Sequence, residues 1–410
     1  MSQNGGVFAT LRATPTPVRY LLGGVLINQL GAFVQTFILL YLTFRGDSVG
    51  IAGLCLAAYS VGSIFGTLAG GELTHRIGPR TTITMAMLAS APLVASIPFV
   101  TKMPVVLFLV VGLAGLVTQA YRPAAAVLLS DLMPEEHQVM GFSMMRIALN
   151  TGAALAPLIA AGLILVDWDL LFFLDGATAL LYGLLAYALL PRVVAPEEHE
   201  EKKPTVDSRT AYSTMARDPK YLAYLAAVFL GTIAYAQSTT ALPLEIVADK
   251  YPTSLYSAVL TISSLVLITC ELKITTYIVK IPAHVAVLAG HVVNSLGFAL
   301  YALAVHSGTF VILGAVFAVS GLMIAGPTMF AHPAKFPAAY KSRYMGTMQA
   351  VIGLASAIGP LFGVFTFTSL GGAFWIVIAL VNGIAGLLAV YGVRAEREPV
   401  AEPETVGGVA

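Results

Sequence analysis

The chain has 410 residues, of which 58% are hydrophobic and only 10% charged, with a net charge of +1 and a mean hydropathy of +0.84. That balance excludes an ordinary soluble domain and offers no basic stripe or motif for nucleic acid. Cys55 and Cys270 both sit inside apolar runs, which argues against a disulfide framework or a zinc site.

A membrane span needs about 20 mostly apolar residues. Taken in chain order, such runs fall at 18–44, 49–71, 81–101, 104–129, 139–166, 170–190, 220–247, 254–278, 283–305, 309–332, 342–368 and 372–394, predicting twelve helices. The polar start, MSQNGGVFATLRATPTPVRY, leads into a run too long for a cleavable signal core, so the first run reads as a retained span. The long polar interval 191–220, with PEEHEEKKPTVDSR at its centre, is too charged to cross lipid and reads as a solvated hinge. The expected organisation is a six-helix bundle at 1–190, a linker at 191–219, a second bundle at 220–394 and a tail at 395–410. Of 22 basic residues, sixteen fall on the side of the termini and three, Arg45, Lys102 and Lys250, on the other. Excess Lys and Arg mark the cytoplasmic side, so both termini are expected there. Trp168 and Trp375 then fall at external helix ends, where indole rings settle at headgroup level.

An internal repeat fixes the architecture further. Pro79, Pro134 and Pro157 recur as Pro282, Pro337 and Pro360, each displaced by 203 residues. NTGAALAPLIAAG resembles GLASAIGPLFGVF around the third pair, and Gln35 and Gln237 correspond with a slip of one residue. Six spans return the chain to its starting side, so the halves are parallel repeats, which in transporters place a substrate site near the midplane between them. The fold class expected is an all-α integral membrane protein of twelve helices in two pseudo-symmetric six-helix bundles.

The stretch GGELTHRIGPRTT (70–82) carries the first family signal. It lacks the spacing of a phosphate-binding loop. Gly71, Arg76, Gly78 and Arg80 match a loop signature, commonly G-x-x-x-D-R-x-G-R-R, between helices 2 and 3 of the major facilitator superfamily, which the chain therefore resembles. His75 stands where that family has an aspartate and Pro79 where it has an arginine. The resemblance implies a cytoplasmic latch between the halves; a neutral His75 would accept a hydrogen bond there, and a protonated one would repel Lys341 or Arg343. In helix 5, Gly152 and Pro157 in GAALAPLIAA are similar to the G-x-x-x-G-P-x-x-G-G signature of exporting, proton-antiporting members. Close packing of small residues explains the same pattern, which Gly359, Pro360 and Gly363 repeat in helix 11.

Ionisable groups inside spans are functional candidates by default. Glu271 in helix 8 is the sharpest, with Arg146 of helix 5 as partner: a proton on Glu271 would break the pair and release an inner gate, while a fixed interhelix pair, or local pairing with Lys273, are the alternatives. Arg122 on helix 4 either attracts an anionic group or pairs with Asp131. Gln35, Gln119, Asn150, Gln237, His332 and Gln349 are cavity candidates, although such a residue is more often an interhelix hydrogen bond than a ligand contact. Asp175 and Glu245 read as packing or rim residues, and His291 and Asn294 as packing. Helix 1 offers Asn28, Gln29 and Gln35 but no acid, unlike many multidrug antiporters of the family.

The resemblance implies a secondary active transporter working by alternating access as a monomer, not an enzyme, exporting small amphipathic compounds or drugs against protons. The alternatives are a proton symporter or facilitator for a nutrient or metabolite, and a transport-inactive sensor. The expected partners are a small-molecule substrate, protons and the lipid bilayer, with no nucleic acid, no metal and no cofactor beyond a proton gradient. A bacterial inner membrane is the expected location.

Overall fold

The structure, a computed structural model, describes residues 14–192, 208–252 and 254–393. Among them are twelve helices long and apolar enough to cross a membrane, and no strand. They are α1 (Thr16–Phe44), α2 (Gly50–Ile77), α3 (Pro79–Val100), α4 (Pro104–Leu132), α5 (Glu135–Ile164), α6 (Leu170–Leu189), α7 (Pro219–Ala248), α8 (Ser254–Ile278), α9 (Ala283–Tyr301), α10 (Gly308–Lys335), α11 (Ala338–Leu370) and α12 (Phe374–Val393). The prolines of the repeat occupy matching places: Pro79 and Pro282 open α3 and α9, Pro134 and Pro337 precede α5 and α11, and Pro157 and Pro360 lie inside those two helices.

Several boundaries differ from expectation for definable reasons. The helix expected to stop at 71 runs on to Ile77, its last turn carrying His75 and Arg76 where cations complement the helix dipole. What looked like a loop is one residue, Gly78, at φ 83°, a conformation that glycine tolerates. Within the expected linker, Ser208–Arg217 is a helix whose Ala211 and Met215 are buried in the core. Residues 193–207 of that linker and the expected tail 395–410 lie outside the described residues. Trp375 is fully buried against Tyr301 and Phe374, so it packs the C-terminal bundle instead of marking a headgroup level. Trp168 is partly buried and stacks on Phe44.

The first span is interrupted between Leu30 and Val34. A break inside a membrane exposes backbone groups that must find partners within the protein. Asp175 of α6 meets that demand: its Oδ2 accepts from the N–H of Phe33 at 2.9 Å and of Val34 at 3.2 Å. Asp175→Ala is expected to destabilise the protein by about 1 to 3 kcal/mol, the penalty for buried donors left unmet, with Asn milder because it keeps an acceptor. Thermal unfolding of the three proteins in one detergent checks this; equal midpoints would refute it.

Close packing within the N-terminal half follows from glycines four apart. Gly62, Gly66 and Gly70 on α2 lie so near the α4 backbone that an added Cβ would come within about 2.1 Å of the carbonyls of Gly112, Leu116 and Ala120.

Among the described residues, the large apolar core shared by the two halves lies at one end. One end of the bundle carries Arg76, Arg80, Lys280, Lys341 and Arg343, and is called the basic end below. There a single apolar core includes Ala124, Met144 and Met145 of the N-terminal half and Met329, Tyr344 and Met348 of the C-terminal half. Toward the opposite end this core is replaced by two separate ones, Phe33 to Phe172 in the first half and Ala234 to Ile378 in the second. Individual helices record the change. In α5 every residue from Met140 to Arg146 is buried, whereas beyond Gly152 only Ala156 and Ala160 are. In α11 Ser342 through Gly346 are buried, whereas beyond Ala350 only Ala355, Gly359 and Gly363 are. Burial on all sides gives way to burial on one face, the pattern of two bundles that close together at the basic end and part above it.

Candidate functional site

The side chains at the top of the closed region decide how it can open. Arg146 leaves α5 and reaches across to the other half, where its Nε lies 3.4 Å from Glu271 Oε1 on α8 and its Nη1 donates to the Leu322 carbonyl of α10 at 2.9 Å. Two features of sequence permit that reach. Glu271 shares with Leu267 and Thr275 the buried face of α8, four residues apart, and Gly326 on α10 leaves room for the guanidinium, since a Cβ there would stand 1.5 Å from Nη1. Glu271 is fully buried, and neither carboxylate oxygen has a hydrogen bond among the described residues. One turn nearer the basic end, Ser143 and Thr275 hydrogen bond across the halves at 2.9 Å. Ile147 of α5 packs beside Leu267, Val319 and Met323 of the C-terminal half, closing an apolar collar round the pair.

At the basic end itself the ion pairs between the halves centre on an acid outside the expected set, with Arg76 and Gly71 of that set beside it. That acid is Glu72: its carboxylate accepts from Arg343 Nε of α11 at 2.7 Å and from Arg76 Nε one turn along α2 at 2.8 Å. Lys341 of α11 adds a second bridge to Asp131 of α4 at 2.8 Å. Glu72 lies three residues before His75, hence on the same face of the helix, so an acid serves the place one turn early. His75 is half-buried and makes no ion pair among the described residues. Arg80 turns away from the interface, donating to the carbonyls of Ala186 and Tyr187 on α6, and so braces one half only. Gly71 does face the other half, against the backbone of Ser342 and Gly346. Glu72→Gln is expected to loosen this end. Spin labels at the exposed positions Ile77 and Ala338 should report a new, longer distance population, and an unchanged distribution would count against the latch.

The cavity candidates divide by environment. Asn150 donates to the carbonyl of Arg146, and Gln119 reaches Tyr59 Oη at 3.4 Å, beside Thr118 Oγ1 at 3.0 Å from the same hydroxyl. Gln35 is exposed on the outer segment of α1, and Gln349 is buried on α11. Gln237 does not line an opening: it is wholly buried, its amide donating to the carbonyls of Ile233 and Gly359 where α7 meets α11. His332 is likewise packed between the rings of Tyr224 and Phe336. Gly152 seats Gln29 of α1 against α5, and Pro157 is exposed farther along the same helix. Asp131, the partner considered for Arg122, is taken by Lys341. Among the described residues no cluster of His, Cys or carboxylates has metal-binding geometry.

Comparison with known proteins places this arrangement in a family. The profile of the Major Facilitator Superfamily matches residues 21–336. The uncharacterized MFS-type transporters YhjO and YqjV of Bacillus subtilis (strain 168) are 29% and 25% identical over 252 and 239 residues. Those alignments cover 60% and 57% of this chain and the same shares of the relatives, so the chain matches less than two thirds of their length. Among solved structures, the human organic anion transporter MFSD10 (TETRAN) matches with a TM-score of 0.74 at 16% identity, over 92% of this chain and 100% of that one. FucP in its outward conformation matches with a TM-score of 0.70, also at 16% identity, over 92% and 98%. A family match across most of the chain, on twelve candidate spans in two halves that part at one end, shows that this protein belongs to the Major Facilitator Superfamily.

Proposed function

We propose that the protein is a transporter that couples proton movement to the passage of small amphipathic compounds, exporting them as protons return, with Glu271 as the proton site. One observation carries this reading: the Arg146–Glu271 pair, with its carboxylate wholly out of solvent, spans the two halves where their shared core ends. A buried pair is costly to form in an apolar setting and is sharply destabilised when one charge is removed. Protonation removes one charge, so it loosens α5 from α8 and α10 at the level that must open for the opposite state. The bistable element is the packing of the halves, and the proton is the ligand that biases it.

The excess of Lys and Arg at the basic end supports a cytoplasmic position for that end and for both termini, in the inner membrane of a bacterium. The opening between the halves then faces outward. A single chain contains both halves of the pathway, which supports a monomer, and the proton gradient is the proposed energy source, with no other cofactor. Export rests on the helix 5 resemblance through Gly152 and Pro157.

The test is to record internal pH in proteoliposomes holding the purified protein while lipophilic cations, organic anions, sugars and peptides are added. Proton movement opposite to a compound establishes antiport, and movement in the same direction establishes the symport alternative. Compound exchange without any proton movement would overturn the coupling.

A further inference from the structure

Arg122 stands at the outer tip of the second segment of α4, Tyr121–Leu132. Residues 123 to 130 beneath it are all buried, packed in the closed region, whereas Val117, Thr118 and Gln119 above it are partly exposed. It shares a helical face with Gly115, Thr118 and Gln119, which meet Tyr59 inside the bundle. Arg122 lies ten residues from the basic end of its span, roughly 15 Å along the helix. Its neighbours in depth are Arg146, Glu271 and Gln349, all roughly 10 to 17 Å in from the same end.

Arg122 differs from Arg146 in having no counter-charge. Among the described residues no carboxylate lies within ion-pair reach of it, since Asp131 is held by Lys341 and Glu271 by Arg146, and its Nε is shielded from solvent with no acceptor. A guanidinium keeps its charge at any physiological pH, so this cation cannot relieve its burial by losing a proton. Partly desolvated charge without a partner is costly in a membrane interior, and it persists where a ligand supplies the missing anion. Tyr59, Thr118 and Gln119 add hydroxyl and amide groups on one side of it.

We infer that Arg122 is the recognition point for the anionic end of the substrate, and that the compounds carried are small amphipathic organic anions with a carboxylate or similar oxyanion. The planar fork of arginine fits two oxygens of such a group at once. This rests on the reading that the opening between the halves is the transport path, and it narrows the substrate class of that path.

The experiment uses the full-length protein in nanodiscs with no pH gradient, read by thermal unfolding. Three probes share one skeleton: 4-phenylbutyrate, its neutral amide and 4-phenylbutylamine. Without any probe, Arg122→Gln is expected to unfold at the same temperature as the native protein or above it, because an unmet charge has been removed. A fall of several degrees would mean that Arg122 has a structural partner, and the inference would fail. The carboxylate is expected to raise the unfolding temperature of the native protein, with apparent affinity about tenfold weaker in Arg122→Gln and less affected in Arg122→Lys. The amide and the amine should be indifferent to the substitution. Stabilisation by the amine instead, equal stabilisation of both proteins by the carboxylate, or none by any probe would overturn it. Glu271→Gln should still bind the carboxylate in this assay, so failure of proton coupling and failure of anion recognition give different results.

Discussion

Glu271→Gln is expected to abolish proton-driven uphill transport, a loss of at least about a hundredfold, while exchange of compound down its own gradient survives. Glutamine keeps the shape of a protonated glutamate, so the variant imitates one end of the coupling cycle and cannot leave it. The substitution carries a structural penalty as well. Arg146 is buried to all but 5%, and losing the carboxylate leaves it the Leu322 carbonyl and a neutral amide oxygen as acceptors but no counter-charge. Removal of one partner from a buried pair costs about 3 to 5 kcal/mol, so a lowered unfolding temperature is part of the prediction. Replacing both residues, Arg146→Met with Glu271→Met, should recover most of that stability and none of the coupling. The double-mutant cycle separates a pair kept for function from one kept for strength. Gly326→Ala offers an independent approach, because a Cβ there would collide with the guanidinium and push Arg146 off Glu271 without changing either charge. Reconstituted transport, with and without an imposed pH gradient, reads all of these. Uphill transport by Glu271→Gln at the native rate and with native pH dependence would refute its role as the proton site.

How much of this was legible in the sequence depends on the length scale of the signal. Spans are set by runs of about 20 apolar residues, a property of local composition, and all twelve were recognisable. The repeat was legible too, because proline constrains the backbone wherever it falls and so marks equivalent helix starts and kinks. Breaks inside spans were not legible. Asn28, Gln29 and Gly31 mark a locally weak point, but what sustains the break is Asp175, more than 140 residues away. The latch shows a subtler difficulty. Matching by position directed attention to His75, whereas helical geometry allows an acid three residues earlier to serve the same face, and Glu72 was within sight once the helix was known to continue to Ile77. Arg146 and Glu271 could be paired in advance because a charge within a span needs an explanation. Gly326 could not, since its importance lies in an absent side chain opposite a residue on another helix.

Gly346→Leu is expected to prevent the basic end from closing and to reduce transport by more than about tenfold with the substrate site untouched. Gly71 of α2 and Gly346 of α11 let two backbones touch: a Cβ on Gly346 would stand 3.0 Å from the Cα of Gly71 and 3.1 Å from the Thr67 carbonyl. The neighbours are backbone on both sides, so relief requires moving a helix and not a rotamer. Overpacking of this kind typically costs about 1 to 3 kcal/mol. Here the strain falls on one conformation only, because the two glycines separate when that end opens. A penalty confined to one of two states shifts their ratio by roughly tenfold for every 1.4 kcal/mol, so even the lower part of that range moves the population strongly. The Ile77–Ala338 label pair should then report the longer distance as the main population. Glu72→Gln, which weakens attraction without adding a clash, should move it less. Bulk and charge act on the same equilibrium through adjacent residues, so combining Gly346→Leu with Glu72→Gln should add little beyond the first. If the label distances of Gly346→Leu match those of the native protein, contact between the glycines is not what limits closure, and control of that end passes to the Arg146–Glu271 level above it.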